Sequence, residues 1–248
     1  MMTMSRFACS LLIAAVAGGA IVPAAMAAVP PDFSGVWTFY PEPGKRAFGH
    51  EKLDLPFTPA GKLRSDEYQA LVAPTSDNPG AYCLGSGMPE AMTFSGPYPM
   101  EIIQRPEQIT VIYEAHTEVR RLYFKDKVIA PGDRVPGRGG YSTARWDGTS
   151  LIVATDTLKD QQDTLYPHSD KARITEVYHL ETDAKGAKVL VNDWELTDPA
   201  TYTKPVKGTK KWLFEPKGFL LPYECDEEGW LDHLEDLKNK TTSSKAYK

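Results

Sequence analysis

Strand follows strand from residue 98 onward in this chain, with no helical period between them. "PMEIIQR" stops at Pro106-Glu107, "QITVIYEAH" follows, and "VRRLYFK" comes after Thr117-Glu118, which reads as a three-strand meander. "YSTARW" and "SLIVATDT" flank Asp147-Gly148, a dipeptide favoured in tight hairpin turns because both central positions take positive φ. "ARITEVYHL", "AKVLVNDWEL" and "TKKWLFEP" continue the series through "ETDAKG" and "TDPATYTKPVKG". A doubly wound α/β fold needs helices between its strands, so this order argues against it. A meander of about eight or nine antiparallel strands must hide its edges, and closing into a barrel does so. The fold class expected is all-β: a closed or nearly closed antiparallel β-barrel with one inserted helix and one C-terminal helix.

The inserted helix is "TPAGKLRSDEYQALV", with Thr58 as N-cap, Pro59 at the first helical position, and Leu63, Tyr68 and Leu71 spaced along one face. "DEEGWLDHLEDLKNK" has acids at its start, lysines at its end, and Trp230, Leu231, Leu234 and Leu237 on one side. Residues 126–140 hold four Gly and two Pro with little to bury and read as a mobile loop. The tail 241–248 is expected to be disordered.

At the other end, Arg6 precedes the apolar run "LLIAAVAGGAIV", which closes on Ala25-Met26-Ala27. That is a secretory signal over residues 1–27, cut before Ala28. Cys9 stands ahead of the apolar run rather than behind it, which favours a soluble exported protein over a lipoprotein. No other segment approaches the length of a membrane span. A periplasmic or secreted chain is expected, with residues 28–240 as a single barrel domain. Once Arg6 is lost from the 28 Lys and Arg, the 33 Asp and Glu leave a net charge near −6. The cations are scattered, so nucleic acid is not an expected partner. Two cysteines remain, Cys83 and Cys225, and an oxidising compartment predicts that they are joined.

"PPDFSGVWTFY", residues 30–40, opens the barrel with Gly35-x-Trp37. It resembles the start of lipocalin-like barrels, where the Trp plugs the closed end and the Gly lets the chain pass beside it. The resemblance implies a cation from the last strand over that Trp, here Lys210 or Lys211 in place of the usual Arg. "YPMEIIQRPEQITVIYE", "VRRLYF", "WDGTSLIVATDT", "PHSDKARITEVYHL", "DPATYTKPV" and "YECDEE" together resemble a large group of exported bacterial proteins. That second likeness implies an exported β-rich domain and no particular reaction.

Residues two apart on a strand share a face. Glu114 therefore lies with Thr110 and Ile112, Asp156 with Ile152 and Ala154, and Glu176 with Ile174 and Tyr178. Arg120 and Arg121 point to opposite faces, so one of them reaches the interior, with Glu114 as its nearest mate. Such groups can form structural cross-strand salt bridges or the polar end of a ligand cavity, and parity leaves both open. His168, in the irregular stretch "TLYPHSDK", can serve as a general acid or base oriented by Asp156 or Glu176, or can be a hydrogen-bonded loop histidine. Tyr113, Tyr166 and Tyr178 are the candidate ligand-contacting aromatics.

No G-x-S-x-G, Walker or G-x-G-x-x-G sequence occurs, and Glu114 with His116 lacks an H-x-H or H-E-x-x-H companion. No metal and no cofactor is expected. The function expected is a cofactor-independent lyase, dehydratase or isomerase acting by proton transfer on a small hydrophobic molecule, aromatic or terpenoid-like. The alternatives are a non-catalytic carrier of such a molecule and an envelope interaction protein. A histidine beside carboxylates has more use in an enzyme than in a carrier.

Overall fold

The computed structural model describes residues 29–41, 53–75, 78–95 and 97–225, with 231–232, 234–236 and 238–239 beyond them. The expected signal segment 1–27 and the tail 241–248 expected to be disordered lie outside the described residues. The elements in chain order are β1 (Gly35–Phe39), α1 (Pro59–Val72), α2 (Glu90–Phe94), β2 (Met100–Gln104), β3 (Gln108–Tyr113), β4 (Glu118–Phe124), β5 (Tyr141–Asp147), β6 (Ser150–Asp156), β7 (Arg173–Thr182), β8 (Lys188–Thr197) and β9 (Val206–Glu215). The nine strands close into a barrel in that order, with β1 paired to both β2 and β9. This is the closed barrel that the strand series implies, and it is compatible with a lipocalin-like fold.

One pairing departs from the antiparallel expectation: β4 and β5 run parallel, with Leu122 opposite Ser142 and Phe124 opposite Ala144. A hairpin cannot join parallel neighbours, which need a crossover of a dozen or more residues. Residues 125–140 supply it, carrying the chain from the end of β4 back to the start of β5 at the other end of the barrel. The expected mobile loop is fastened: Arg134 Nη1 donates to both Asp156 carboxylate oxygens at 2.8 Å, and Arg138 Nη1 donates to Asp163 at 2.9 Å. The β5–β6 hairpin differs by one residue from its sequence reading. Asp147 pairs with Ser150, so the central residues are Gly148 and Thr149, and of these only Gly148 has a positive φ, +60°.

The registers gather Gly35, Gln104, Phe124, Trp146 and Lys188 toward one end of the barrel and Tyr113, Glu118, Tyr141 and Thr197 toward the other. Trp37 and Phe33 shut the first end, at 0% and 1% exposure. The Trp37 indole donates to Phe33 O at 2.9 Å and tilts against Phe214 with centroids 5.2 Å apart, while Phe33 meets Trp146 at 5.3 Å. Gly35 has φ +120°, and a Cβ there would come within 2.6 Å of the Phe214 ring, which accounts for the glycine two residues before the tryptophan. The cation over Trp37 is Lys188 at the start of β8, with Nζ 5.3 Å from the Trp37 ring and 4.8 Å from that of Phe214. It stands in place of Lys210 or Lys211; Lys211 instead reaches Glu181 at 2.9 Å.

The second end is covered rather than plugged. Helix α2 lays Met92, 0% exposed, over the barrel interior, and the Trp212 indole holds Ser95 Oγ at 3.0 Å just beyond the helix. Helix α1 forms as expected, with Thr58 Oγ1 accepting from Gly61 N at 3.0 Å. It does not dock by an apolar stripe, since Leu63 and Leu71 are exposed; it docks through Gly61, where a Cβ would meet Thr201 O at 2.3 Å. Cys83 and Cys225 are joined, as expected, which ties the segment after α1 to the segment after β9. Positions 231–232, 234–236 and 238–239 are helical, where the C-terminal helix was expected.

Trp37→Ala removes the largest side chain of the closed end together with its hydrogen bond. A loss of about 3–5 kcal/mol in unfolding free energy is expected, measured by urea denaturation monitored in the far ultraviolet.

Candidate functional site

The inward rows of β4 to β8 carry polar residues at neighbouring heights. Arg120 belongs to the row Glu118, Arg120, Leu122, and Glu176 to the row Ile174, Glu176, Tyr178, both set by the period of two. Ser142 on β5 lies directly opposite Thr155 on β6, and Tyr178 on β7 opposite Asn192 on β8. The result is a closed network in the middle of the barrel, with Arg120 6% exposed and Glu176 0%. Arg120 Nε donates to Ser142 Oγ at 3.0 Å, Nη1 to Glu176 Oε1 at 3.0 Å and Nη2 to Thr155 Oγ1 at 2.8 Å. A second, shorter bond joins Nη2 to Glu176 Oε2, making the pair bidentate. Tyr178 OH and Asn192 Nδ2 complete the Glu176 carboxylate at 2.7 and 3.1 Å.

Burial works against the Arg120 charge, but the attraction and hydrogen bonds of Glu176 outweigh it and hold the guanidinium protonated above its ordinary range. Burial, reinforced by the Glu176 charge, pushes the Tyr178 hydroxyl well above the usual tyrosine range. Taking two ions out of water costs several kcal/mol per ion, and only good geometry with complete hydrogen bonding offsets it. The network gives both ions that geometry and bonding, although Asn192 Oδ1 is buried without a partner among the described residues.

A pocket of about 380 Å³ opens beside this network at the seam of the parallel strands β4 and β5. Its wall includes Met88, Ala91, Tyr113, Glu118, Arg120 and Ser142, with Arg138, Gly139 and Tyr141 at the crossover side. Tyr113 is 3% exposed, and its hydroxyl, which Arg120 faces as a donor, finds no acceptor for its own proton among the described residues. Burial pushes that hydroxyl up to about 12, against the pull of Arg120. Glu118 is the register partner of Tyr113 across β3 and β4, so both side chains face the same space. Its carboxylate accepts from Gly87 N at 3.0 Å, and burial raises its proton affinity against that amide and against Arg138. Arg138 also enters the pocket wall; its Nε donates to Gly85 O at 2.7 Å, and its Nη2 is buried without a partner.

The structure thus brings together Arg120, Glu176 and Tyr178, with Tyr113 beside them, and leaves the other sequence-selected residues elsewhere. Glu114 is not the mate of Arg120. Strand β3 ends at Tyr113, and Glu114 Oε2 accepts from Leu221 N at 2.6 Å, holding the segment that leads to Cys225. Asp156 lies on the outward row and anchors Arg134 of the crossover, with Arg173 at 3.5 Å. Arg121 points outward to the exposed rim of the pocket. Tyr166 stands edge-on to Trp194, with centroids 5.2 Å apart, and is not part of the pocket wall.

His168 is 0% exposed, and it too is absent from that wall. Its Nδ1 lies 2.8 Å from Tyr166 O; because a carbonyl only accepts, Nδ1 carries the proton. Nε2 has no partner. The neighbouring Ser169 hydroxyl and amide bind Asp198 at 2.9 and 2.7 Å, so this stretch anchors the irregular segment over the barrel end. The residues that sequence reasoning passed over are Glu118, Arg138, Ser142, Thr155 and Asn192. Glu118 falls just ahead of the strand expected at "VRRLYFK", and its two-residue spacing from Arg120 is the available signal.

Among the described residues no group of three or more His, Cys, Asp and Glu side chains is placed to hold a metal ion. No protein-family model, curated protein or solved structure matches this chain.

Two outcomes follow from this geometry. Arg120→Met leaves Glu176 charged and unpaired in the interior and is expected to cost about 3–5 kcal/mol, whereas adding Glu176→Met recovers part of that loss; urea denaturation of the single and double variants checks both. For His168, burial lowers the proton affinity, against its bond to Tyr166 and the charges of Asp198 and Asp160, and together with Arg138. The unfolded chain then binds a proton that the folded chain resists, so stability falls as pH drops below the ordinary histidine range, until folded His168 itself protonates. Urea midpoints at about pH 7.5 and about pH 5 are expected to converge in His168→Asn relative to the parent chain.

Proposed function

We propose that the protein takes up a small, largely apolar molecule in the pocket at the β4–β5 seam. The observation that carries this reading is a pocket of about 380 Å³ that reaches the buried Tyr113 hydroxyl, a donor without an acceptor among the described residues. That volume is within the range of small-molecule sites, which are mostly apolar with a few convergent polar groups. Met88, Ala91 and the ring of Tyr141 offer the apolar part, and Tyr113, Glu118 and Arg138 the polar part. The joined Cys83 and Cys225 fit a chain that works outside the cytoplasm, which agrees with the periplasmic or secreted location read from the leader.

A carrier and a proton-transfer enzyme both use such a pocket. The arrangement of His168, Glu114 and an arginine around one cavity does not support the enzyme, because neither His168 nor Glu114 belongs to the pocket wall. What favours proton transfer is Glu118, a carboxylate in the pocket whose proton affinity burial raises. Turnover through Glu118 is the second reading.

Gly139 lines the pocket, and a Cβ added there meets nothing within 4 Å, so Gly139→Phe starts a bulky side chain from an open position in the wall. In a fluorescence titration with the uncharged dye N-phenyl-1-naphthylamine, the parent chain is expected to show saturable binding. Gly139→Phe and Ala91→Phe are each expected to weaken it by about tenfold or more, a change of about 1.4 kcal/mol. Equal affinity in the parent and both variants, with unchanged melting temperatures, sinks the assignment of the pocket.

A further inference from the structure

We propose that Glu118 and Tyr113 form a proton-transfer pair acting on a small uncharged ketone: Glu118 takes the α-hydrogen while Tyr113 donates to the ketone oxygen. This rests on the reading of the seam pocket as a small-molecule site. Tyr113 ends β3 and Glu118 begins β4, directly opposite one another in the ladder, so a molecule in the pocket meets the acid and the phenol from the same wall. The phenol is 3% exposed, has no protein acceptor and stays protonated at ordinary pH, so it is a donor awaiting an oxygen. Arg138 Nη2, likewise buried and unpaired, is a further donor in the wall.

Glu118 is held as a base rather than spent on a salt bridge. Among the described residues no cation pairs with it; it accepts from Gly87 N at 3.0 and 3.4 Å. Gly85 lies so close that a Cβ would come within 2.4 Å of the Glu118 carboxyl carbon, so the 85–87 turn wraps the group and limits its orientation. Burial raises its affinity for a proton, while Gly87, Ser86 and Arg138 oppose the rise and Glu90 adds to it.

The charge balance selects a neutral substrate. Arg120 is neutralised by Glu176 and Arg138 by Asp163, and Arg121 on the exposed rim offsets Glu118, so the wall as a whole carries no net charge to draw in an ion. In the step proposed, the α C–H bond breaks and its proton passes to the Glu118 carboxylate. Its electron pair forms the C=C bond as the carbonyl π pair moves onto oxygen, where Tyr113 donates. Return of the proton from Glu118 to the same carbon exchanges hydrogen, and return to a conjugated carbon shifts a double bond. Either path restores Glu118 and consumes nothing. Donors aimed at a developing oxyanion in a dry site are worth more than in water.

β-Tetralone, an uncharged bicyclic ketone with acidic α-hydrogens, is the probe, and the full chain is used in deuterated water. Deuterium entry at the α-positions, followed by proton NMR, is expected to exceed the buffer rate by on the order of 10²-fold. The rate is expected to rise with pH through a midpoint above the ordinary carboxylate range, because only ionised Glu118 accepts the proton; Arg138 and Glu90 face this group, and Arg120 and Tyr113 adjoin it. Glu118→Gln is expected to abolish the enhancement while β-tetralone still gives saturation-transfer signals, and Tyr113→Phe to slow exchange more than it weakens binding. If Glu118→Gln does not fold, Glu118→Asp is expected to exchange more slowly with the same form of pH profile. Binding of β-tetralone without exchange above buffer, or equal exchange in Glu118→Gln, overturns the chemistry and leaves the pocket assignment standing. Failure of β-tetralone to bind while the dye responds to Gly139→Phe overturns the ligand class alone; failure of both probes overturns both readings.

Discussion

A bidentate ion pair in the middle of a barrel constrains everything around it. Arg120 and Glu176 come from strands that are not neighbours, β4 and β7, so they meet only across the interior of a closed sheet. Each charge must be fully hydrogen-bonded to offset its lost hydration. Those bonds come from Ser142 on β5, Thr155 on β6, Tyr178 on β7 and Asn192 on β8. A slip of one residue in any of these strands would turn its contributor outward and leave a buried charge short of a partner. The network therefore ties together the registers of five consecutive strands.

The two ends of the barrel divide the remaining work. At one, Trp37, Phe33 and Phe214 pack over Gly35 with Lys188 above, an arrangement of aromatic contacts that buries Trp37 and Phe33 completely. At the other, short and irregular pieces do the covering: α2 with Met92, the segment around His168, and the crossover fastened by Arg134 and Arg138. The parallel pair β4–β5 requires that crossover, and the pocket lies where the crossover returns to the sheet. Topology and pocket are thus one feature: a hairpin at this place would leave no strand of irregular backbone to shape the wall.

Parity identified the right pairs of residues but not always the right face. Ile174, Glu176 and Tyr178 share the inward row, as the spacing implies. Thr110 and Ile112, and Ile152, Ala154 and Asp156, share rows as well, but these rows look outward, while Ile109, Val111, Tyr113, Leu151, Val153 and Thr155 look inward; Glu114 lies beyond the end of β3, where the period of two no longer holds. Both faces of these strands carry β-branched residues, so apolar content does not separate inside from outside. The same limit hid Ser142, Thr155 and Asn192, small polar residues that acquire meaning only when Arg120 and Glu176 are seen between them. His168 was singled out for its irregular surroundings, and those surroundings bury it in an anchor with Tyr166, Ser169 and Asp198 instead.

Local chemistry along the chain determined a great deal: the strand series with no intervening helices, the capped start of α1 at Thr58, the glycine two residues before Trp37, and the pairing of Cys83 with Cys225. Each depends on neighbours in sequence or on simple counting, such as a period of two, an N-cap side chain three residues from its amide, or two cysteines outside the expected leader. The partner of Arg120, the cation over Trp37, the parallel seam and the meeting of Tyr113 with Glu118 at a pocket were decided by tertiary structure alone. They depend on which distant strands face one another across a closed barrel, and that is set by the number of strands, their register and the direction of one crossover, quantities that no short stretch of sequence contains.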